Sequence, residues 1–327
     1  MLAAAPAAGA AESGQEGPEV VRVGIYIEHL SDVDLKEGSF QADFYLWFLW
    51  RGDIDPTASF EFTNTLPLEL HSVATSTAED GSPEPVVFPD GSKHQIFHVN
   101  GRFLGQFEVD DYPLDDGRLV IAIEDAQYGT DSLVYEFDQA SAMSPNARIS
   151  GWKVKPPVGT VTEHRYNTTF GDPTITEGQA AFSRVEMSLH ATRPKVTLAI
   201  QHVFPLVVII LAALASLLID SPVGEGGDAH WWFLATRLSL AVPAVIAAVA
   251  LQFTASPGIP HEGQVLLIDR IYLLSYAVIL LIILVTVVAH RVLRRGSPKR
   301  AERIDRWTLA LLTPGYLGGI LLILLVR

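Results

Sequence analysis

The sequence predicts an all-β domain outside the membrane followed by a bundle of four membrane-spanning helices. Three observations predict it. Charge is segregated: residues 1–194 hold 12 Lys+Arg and 30 Asp+Glu, or −18, and residues 195–327 hold 11 and 7, or +4. The net −14 of the 327-residue chain is therefore a sum over two unlike halves. Hydropathy is segregated too: a mean of +0.26 is too apolar for one acidic soluble globule, and the apolar runs collect after Pro194. Third, the apolar period is two before Pro194, and uninterrupted apolar stretches follow it. The acidic half excludes a nucleic-acid binder, whose footprint is basic. The absence of cysteine excludes a disulfide scaffold, thiolate metal sites and a cysteine nucleophile.

The elements follow in order. Residues 1–17 are Ala-rich with small residues at A-x-A-like spacing, and read as a signal-peptide remnant or disordered tail. Residues 18–194 form the extracytoplasmic domain. In it Val21, Val23, Ile25 and Ile27 alternate with Arg22, Gly24, Tyr26 and Glu28, and Phe44, Leu46, Phe48 and Trp50 make a second such run. Turn signals recur at Lys36-Glu37-Gly38, Arg51-Gly52-Asp53, Pro89-Asp90-Gly91, Asp115-Asp116-Gly117 and Tyr128-Gly129-Thr130. Short strands so punctuated fit an immunoglobulin-like β-sandwich of about ten strands. Val185–Leu189 reads as its last strand, and only Ala191-Thr192-Arg193-Pro194 separates the sandwich from the first helix.

Residues 195–327 form the membrane domain. Apolar stretches at 196–219, 234–254, 265–290 and 307–326 each approach the ~20 residues that span hydrocarbon. The connection 291–306 holds seven cations, Arg291, Arg294, Arg295, Lys299, Arg300, Arg303 and Arg306, which place it in the cytoplasm. With four spans, both termini then lie on the periplasmic side of a bacterial inner membrane. No H-E-x-x-H, G-x-S-x-G, P-loop or dinucleotide fingerprint is present, so no enzyme is expected.

Several short motifs stand in order along the chain. Asn100-Gly101-Arg102-Phe103-Leu104-Gly105 precedes Val109-Asp110-Asp111-Tyr112-Pro113-Leu114-Asp115. Phe88-Pro89-Asp90-Gly91, Gly151-Trp152, Phe182-Ser183-Arg184 and Pro205 in the first helix complete the set. In order and spacing, from Val20 to the C-terminus, the chain resembles the pentameric ligand-gated ion channels (Cys-loop receptors). The Tyr112–Asp115 stretch is similar to the heart of their signature loop. It lacks the two flanking cysteines, as in the prokaryotic branch. The resemblance implies a homopentamer in membrane lipid whose second helix lines a pore for permeant ions.

Spacing alone puts Ser239, Pro243, Ile246, Ala250 and Phe253 on one face of the second helix. That face could be lipid-facing, packed or lumenal; the resemblance places it in the lumen, where Ile246 and Phe253 would form apolar rings. Pro243 removes a bond to the Ser239 carbonyl and favours a kink. Arg237, with Glu225 and Asp228 on the preceding loop, would mark the inner mouth. Repeated around a vestibule, the −18 of the exported half favours cations, and a lumenal Arg237 would oppose them.

The resemblance also implies coupling residues: Asp32 or Asp34, Asp115 and Arg193, gathered above the turn Pro257–Pro260. An Arg can bridge two carboxylates with its fork of donors. The implied ligand site lies under the hairpin 166–182, with Tyr128, Tyr166, Phe170 and Phe182 as aromatic candidates for an organic cation. Protons or divalent ions are alternative effectors. No cofactor is expected; Asp110, Asp111, Asp115 and Asp116 are candidates only for weak, modulatory Ca²⁺ binding. His94 and His98, four apart on a strand, sit about 13 Å from each other and cannot share a zinc. The competing reading of the whole chain is a non-conducting, membrane-anchored periplasmic sensor.

Overall fold

The computed structural model describes residues 17–72, 76–77, 83–169, 171, 180–219, 227–255 and 265–326. The N-terminal region is all β. Its strands in chain order are β1 (Glu19–Asp34), β2 (Ser39–Trp50), β3 (Phe60–Phe62), β4 (Thr65–Ser72), β5 (Ser76–Thr77), β6 (Pro83–Glu84), β7 (Val86–Val87), β8 (Lys93–Leu104), β9 (Gln106–Glu108), β10 (Asp116–Asp125), β11 (Leu133–Phe137), β12 (Ala142–Met143), β13 (Lys153–Val154), β14 (Val158–Arg165) and β15 (Ala181–Thr192). One sheet runs β11-β1-β2-β8-β4, with β12 and β7 at its margins; the other runs β13-β15-β10-β3, with β14 and β9. Strands β5 and β6 pair separately.

The period-two runs explain the packing. Val21, Val23, Ile25, Ile27, Phe44, Leu46 and Phe48 point from the first sheet into one core. Leu119, Ile121, Ile123, Val185, Met187 and Leu189 meet them from the second. Each such side chain contributes about 1.5–3 kcal/mol on burial. Phe48, Phe60 and Phe97 form an aromatic cluster against it, with ring centroids 4.9–6.1 Å apart.

The strands run longer than the alternation predicts. β1 continues to Asp34 through a bulge near Asp32, the one described non-glycine residue with positive φ (48°). Aspartate tolerates this left-handed conformation better than most residues. The Asp115-Asp116-Gly117 stretch is not a turn. Asp116 opens β10, and Gly117 lies where a Cβ would come within 2.7 Å of the Phe107 ring. That glycine serves close packing rather than chain reversal.

Four helices follow, each long and apolar enough to cross a membrane: Ala199–Leu218, Trp231–Ala255, Leu267–Arg294 and Pro298–Leu325. They are called the first to fourth helices below. A π-helical turn, Leu198–Val203, precedes Pro205 in the first. Pro205 lacks the N–H that would bond Gln201, and a widened turn accommodates that loss. The second is part of a longer helix, Gly227–Ala255, with Pro243 inside it. The expected basic loop 291–306 is not a loop. The third helix continues through Arg294 and the fourth begins at Pro298, so only Arg295-Gly296-Ser297 turns the chain. Gly296 has φ +77°, which favours glycine at this helix end. The cations therefore ride on two helix ends.

Candidate functional site

The geometry converges at the junction of the two regions. After β9 the chain turns through Val109–Leu114 and sits on the membrane helices. Val109, Tyr112 and Leu114, with Leu35 from the β1–β2 turn, pack into the apolar cluster formed by the helices. Among the described residues, three hydrogen bonds fasten the loop. The Leu267 N–H donates to the Asp110 carbonyl (2.9 Å) and the Ile268 N–H to the Tyr112 carbonyl (3.3 Å). The Tyr112 hydroxyl donates to the Ala255 carbonyl (3.0 Å), at the last residue of the second helix. Burial raises the Tyr112 pKa and keeps that hydroxyl a donor. The loop thus touches the end of one helix and the start of the next, and the Tyr112–Pro113 peptide within it is cis.

Just beyond, Arg193 closes on Asp115, with Nε 2.9 Å from Oδ1 and 3.1 Å from Oδ2. Asp115 is fully buried. Burial raises its pKa, and the attraction of Arg193 only partly offsets this. The guanidinium also lies 4.2 Å from the Trp152 ring and 5.3 Å from the Tyr112 ring. Two of the expected coupling residues are thus brought together. The other carboxylates are not: Asp34 accepts from Lys36 N–H (2.8 Å) and Glu37 N–H (3.1 Å) in its own turn, and Asp32 is exposed. Two aromatic faces stand where a second carboxylate was expected. Pro257 and Pro260 lie outside the described residues.

In the second helix, Phe233, Arg237, Ala241, Ala244, Ala248 and Ala255 are buried against the rest of the chain. Alanines let the neighbouring helices approach closely. Ser239, Pro243, Ile246, Ala250 and Phe253 are all exposed, Phe253 at 82%. Two residues further along turns a helix about 200°, so this stripe is opposite the buried face. The chain's own helices leave it uncovered.

Arg237 differs from its expected place at a pore mouth. It is 1% exposed and bidentate to Asp305 of the fourth helix, at 2.9 and 2.7 Å. It also donates to the Leu217 and Ile219 carbonyls at the end of the first helix (3.3 and 2.7 Å) and stacks on Phe233 (4.2 Å). A buried guanidinium needs such partners, since desolvation would otherwise be costly. Asp305 stands 68 positions away, and nothing local in the sequence links the two. Glu225 lies outside the described residues; Asp228 falls in the first turn of the second helix, where only the backbone is described.

At the sandwich hairpin, Tyr166 and Phe182 meet edge to face at 5.9 Å, and His164 stands 4.5 Å from Tyr166. Behind them Glu124, 1% exposed, accepts from Arg184 (2.6 and 3.2 Å) and from the Tyr166 hydroxyl (3.0 Å). Burial raises the Tyr166 pKa, so it stays a donor. The other oxygen of Glu124, Oε1, is buried with no hydrogen-bond partner among the described residues. Tyr128 packs on the sandwich core instead. Phe170 lies outside the described residues. The carboxylate behind the rings was not among the expected site residues; its only signal is its position one residue before Asp125 on a strand otherwise apolar inward.

The Ca²⁺ candidates do not converge. Asp115 is engaged by Arg193, and the described residues contain no group of three or more His, Asp or Glu side chains able to hold a metal ion. No family model matches the chain, and no curated protein matches it. A β-rich region followed by four membrane-capable helices is compatible with a membrane receptor-like protein and with the layout of the pentameric channels.

Proposed function

We propose that the chain is one subunit of a homopentameric ligand-gated ion channel, opened by an extracytoplasmic small molecule or by protons. The observation that carries this reading is the second helix: an apolar stripe of Ile246, Ala250 and Phe253 stands free opposite a face packed on its own subunit. Five such stripes facing one axis would enclose a pore, and narrow apolar rings gate by dewetting. The seating of Val109–Leu114 on the ends of the second and third helices supplies a route from sandwich to pore. Cation selectivity is favoured by the −18 of the exported half and by the burial of Arg237, which withdraws its charge from the lumen. Tyr166, Phe182 and the buried Glu124 behind them favour a cationic organic ligand.

Purified protein in planar bilayers tests the proposal. Currents should appear on lowering pH or adding amines, with reversal potentials that follow the cation gradient. Silence across a pH and ligand series would instead assign the chain to the non-conducting sensor class.

A further inference from the structure

A cleft of about 440 Å³ opens where β1 begins, with Arg22, Leu49, Arg51, Asp90 and Glu136 among its lining residues. The far end of β1 leads into Leu35, which packs on the membrane helices. The cleft therefore lies at the membrane-distal end of the sandwich. It belongs to the first sheet, whereas Glu124 and Phe182 belong to the second. Register builds its walls. Arg22 stands opposite Leu49 of β2 and Glu136 of β11, so the three share one face of the sheet. That face is turned from the core, which takes Val21 and Trp50. Val20 and Arg51, two residues along, fall on the same face. Val20 is exposed and Leu49 half-buried, so an apolar floor runs between the charged groups.

The ion pairs at its two sides are incompletely made. Arg51 gives only Nη2 to Asp90, at 2.5 Å. Asp90 already has donors on both oxygens, since the Ser92 hydroxyl and N–H reach the other one at 2.6 and 3.1 Å. The Ser92 bonds, and then Arg51, hold the Asp90 pKa down at about 2. On the opposite side Arg22 reaches Glu136 only at 3.5 Å, beyond the usual hydrogen-bond range. No other side-chain hydrogen bond engages Arg51 or Glu136 among the described residues. Glu19 is turned away to the Asp53 and Ile54 N–H groups. One guanidinium fork and one carboxylate are thus left open across an apolar floor. Glu136 is two strands over and two residues along from Arg51. At ~4.8 Å per strand and ~3.3 Å per residue, their Cα atoms stand about 12 Å apart. Side chains rise roughly perpendicular to a sheet, which carries that span to the charged ends. An extended dipeptide measures ~7 Å, and a hydrogen bond of ~2.8 Å at each terminus fills the same span.

We propose that this cleft binds an extended dipeptide with free termini and apolar side chains. Its carboxylate takes the open edge of the Arg51 guanidinium. Its ammonium donates to Glu136, and its side chains lie on Val20 and Leu49. The site is separate from the hairpin with Tyr166, and the proposal does not rest on conduction.

Titration calorimetry on the full detergent-purified chain, with leucyl-leucine as the probe, tests it. Leucyl-leucinamide lacks the carboxylate and N-acetyl-leucyl-leucine lacks the ammonium. Each should bind about tenfold more weakly, as the loss of one charge-assisted hydrogen bond implies. Free leucine, too short to bridge the two groups, should be weaker by a similar factor. Arg51→Gln should make leucyl-leucine and its amide bind alike. Glu136→Gln should do the same for leucyl-leucine and its acetylated form. Both side chains are exposed, so neither variant threatens the fold. Lys155→Gln, outside the cleft, should leave all affinities unchanged. No heat with leucyl-leucine, equal affinity for either capped analogue, or a preference that survives its matching variant would overturn the assignment. None of these readouts uses current, so failure here leaves the channel proposal standing.

Discussion

Arg193 holds a carboxylate that is otherwise wholly removed from water. Removing the cation leaves Asp115 charged, buried and unpaired, so Arg193→Gln should cost about 3 kcal/mol in thermal unfolding. Asp115→Asn should cost less, because the amide needs no counter-charge. The pH dependence has a definite sign. Burial raises the Asp115 pKa in the fold, while the unfolded chain titrates at the ordinary carboxylate value. Between the two values the fold binds more protons. The contribution of this group is therefore full below the ordinary value and is lost as pH rises through the raised one. Asp115→Asn should remove that limb from a plot of stability against pH, and an unchanged limb would assign it to another group. Protonation also loosens the grip on Arg193. In the proposed channel, an acid-evoked current should accordingly need less acid in the Asn variant.

The helices and strands differ in how much of them is legible from sequence. Period-two runs such as Val21–Ile27 marked β1, because one face must be apolar to meet the other sheet. Uninterrupted apolar length marked the four spans. Helix ends were less visible: Arg291–Arg294 and Lys299–Arg306 are too polar to read as spanning, yet they continue both helices. The stripe on the second helix was legible in its spacing, but its freedom required knowing that Ala241, Ala244 and Ala248 face inward. Arg237 was misplaced because burial follows from its partner, and Asp305 belongs to another helix. That pair makes a clean test. Arg237→Met or Asp305→Leu alone should destabilise by about 3–5 kcal/mol, and the two together should recover most of the loss. In the proposed pore, Ile246→Ser would wet an apolar ring and raise the current at rest; an unaltered resting current would remove Ile246 from the gate.

For the whole molecule, the exposed apolar stripe and the charge segregation ask for neighbours. The detergent-solubilised assembly should weigh about five times the 35.6 kDa chain by light scattering, and a monomer would sink the pentamer. In the proposed channel, the −18 of each N-terminal half should make single-channel cation conductance fall relative to bulk as ionic strength rises, since the vestibule field is then screened.

The seat between sandwich and membrane helices has one more consequence. From the helix side, all three hydrogen bonds are made by main-chain atoms: the Ala255 carbonyl and the Leu267 and Ile268 amides. From the loop side, only Tyr112 contributes a side chain to them. Among the described residues, the polar part of the docking surface is thus blind to the sequence of the helices. Two halves of different ancestry could be recombined across it, provided the incoming loop kept its tyrosine and its apolar neighbours. Shuffling of sensory and membrane modules needs a joint of this kind, where the helix backbone supplies the polar fit and the helix side chains need only stay apolar.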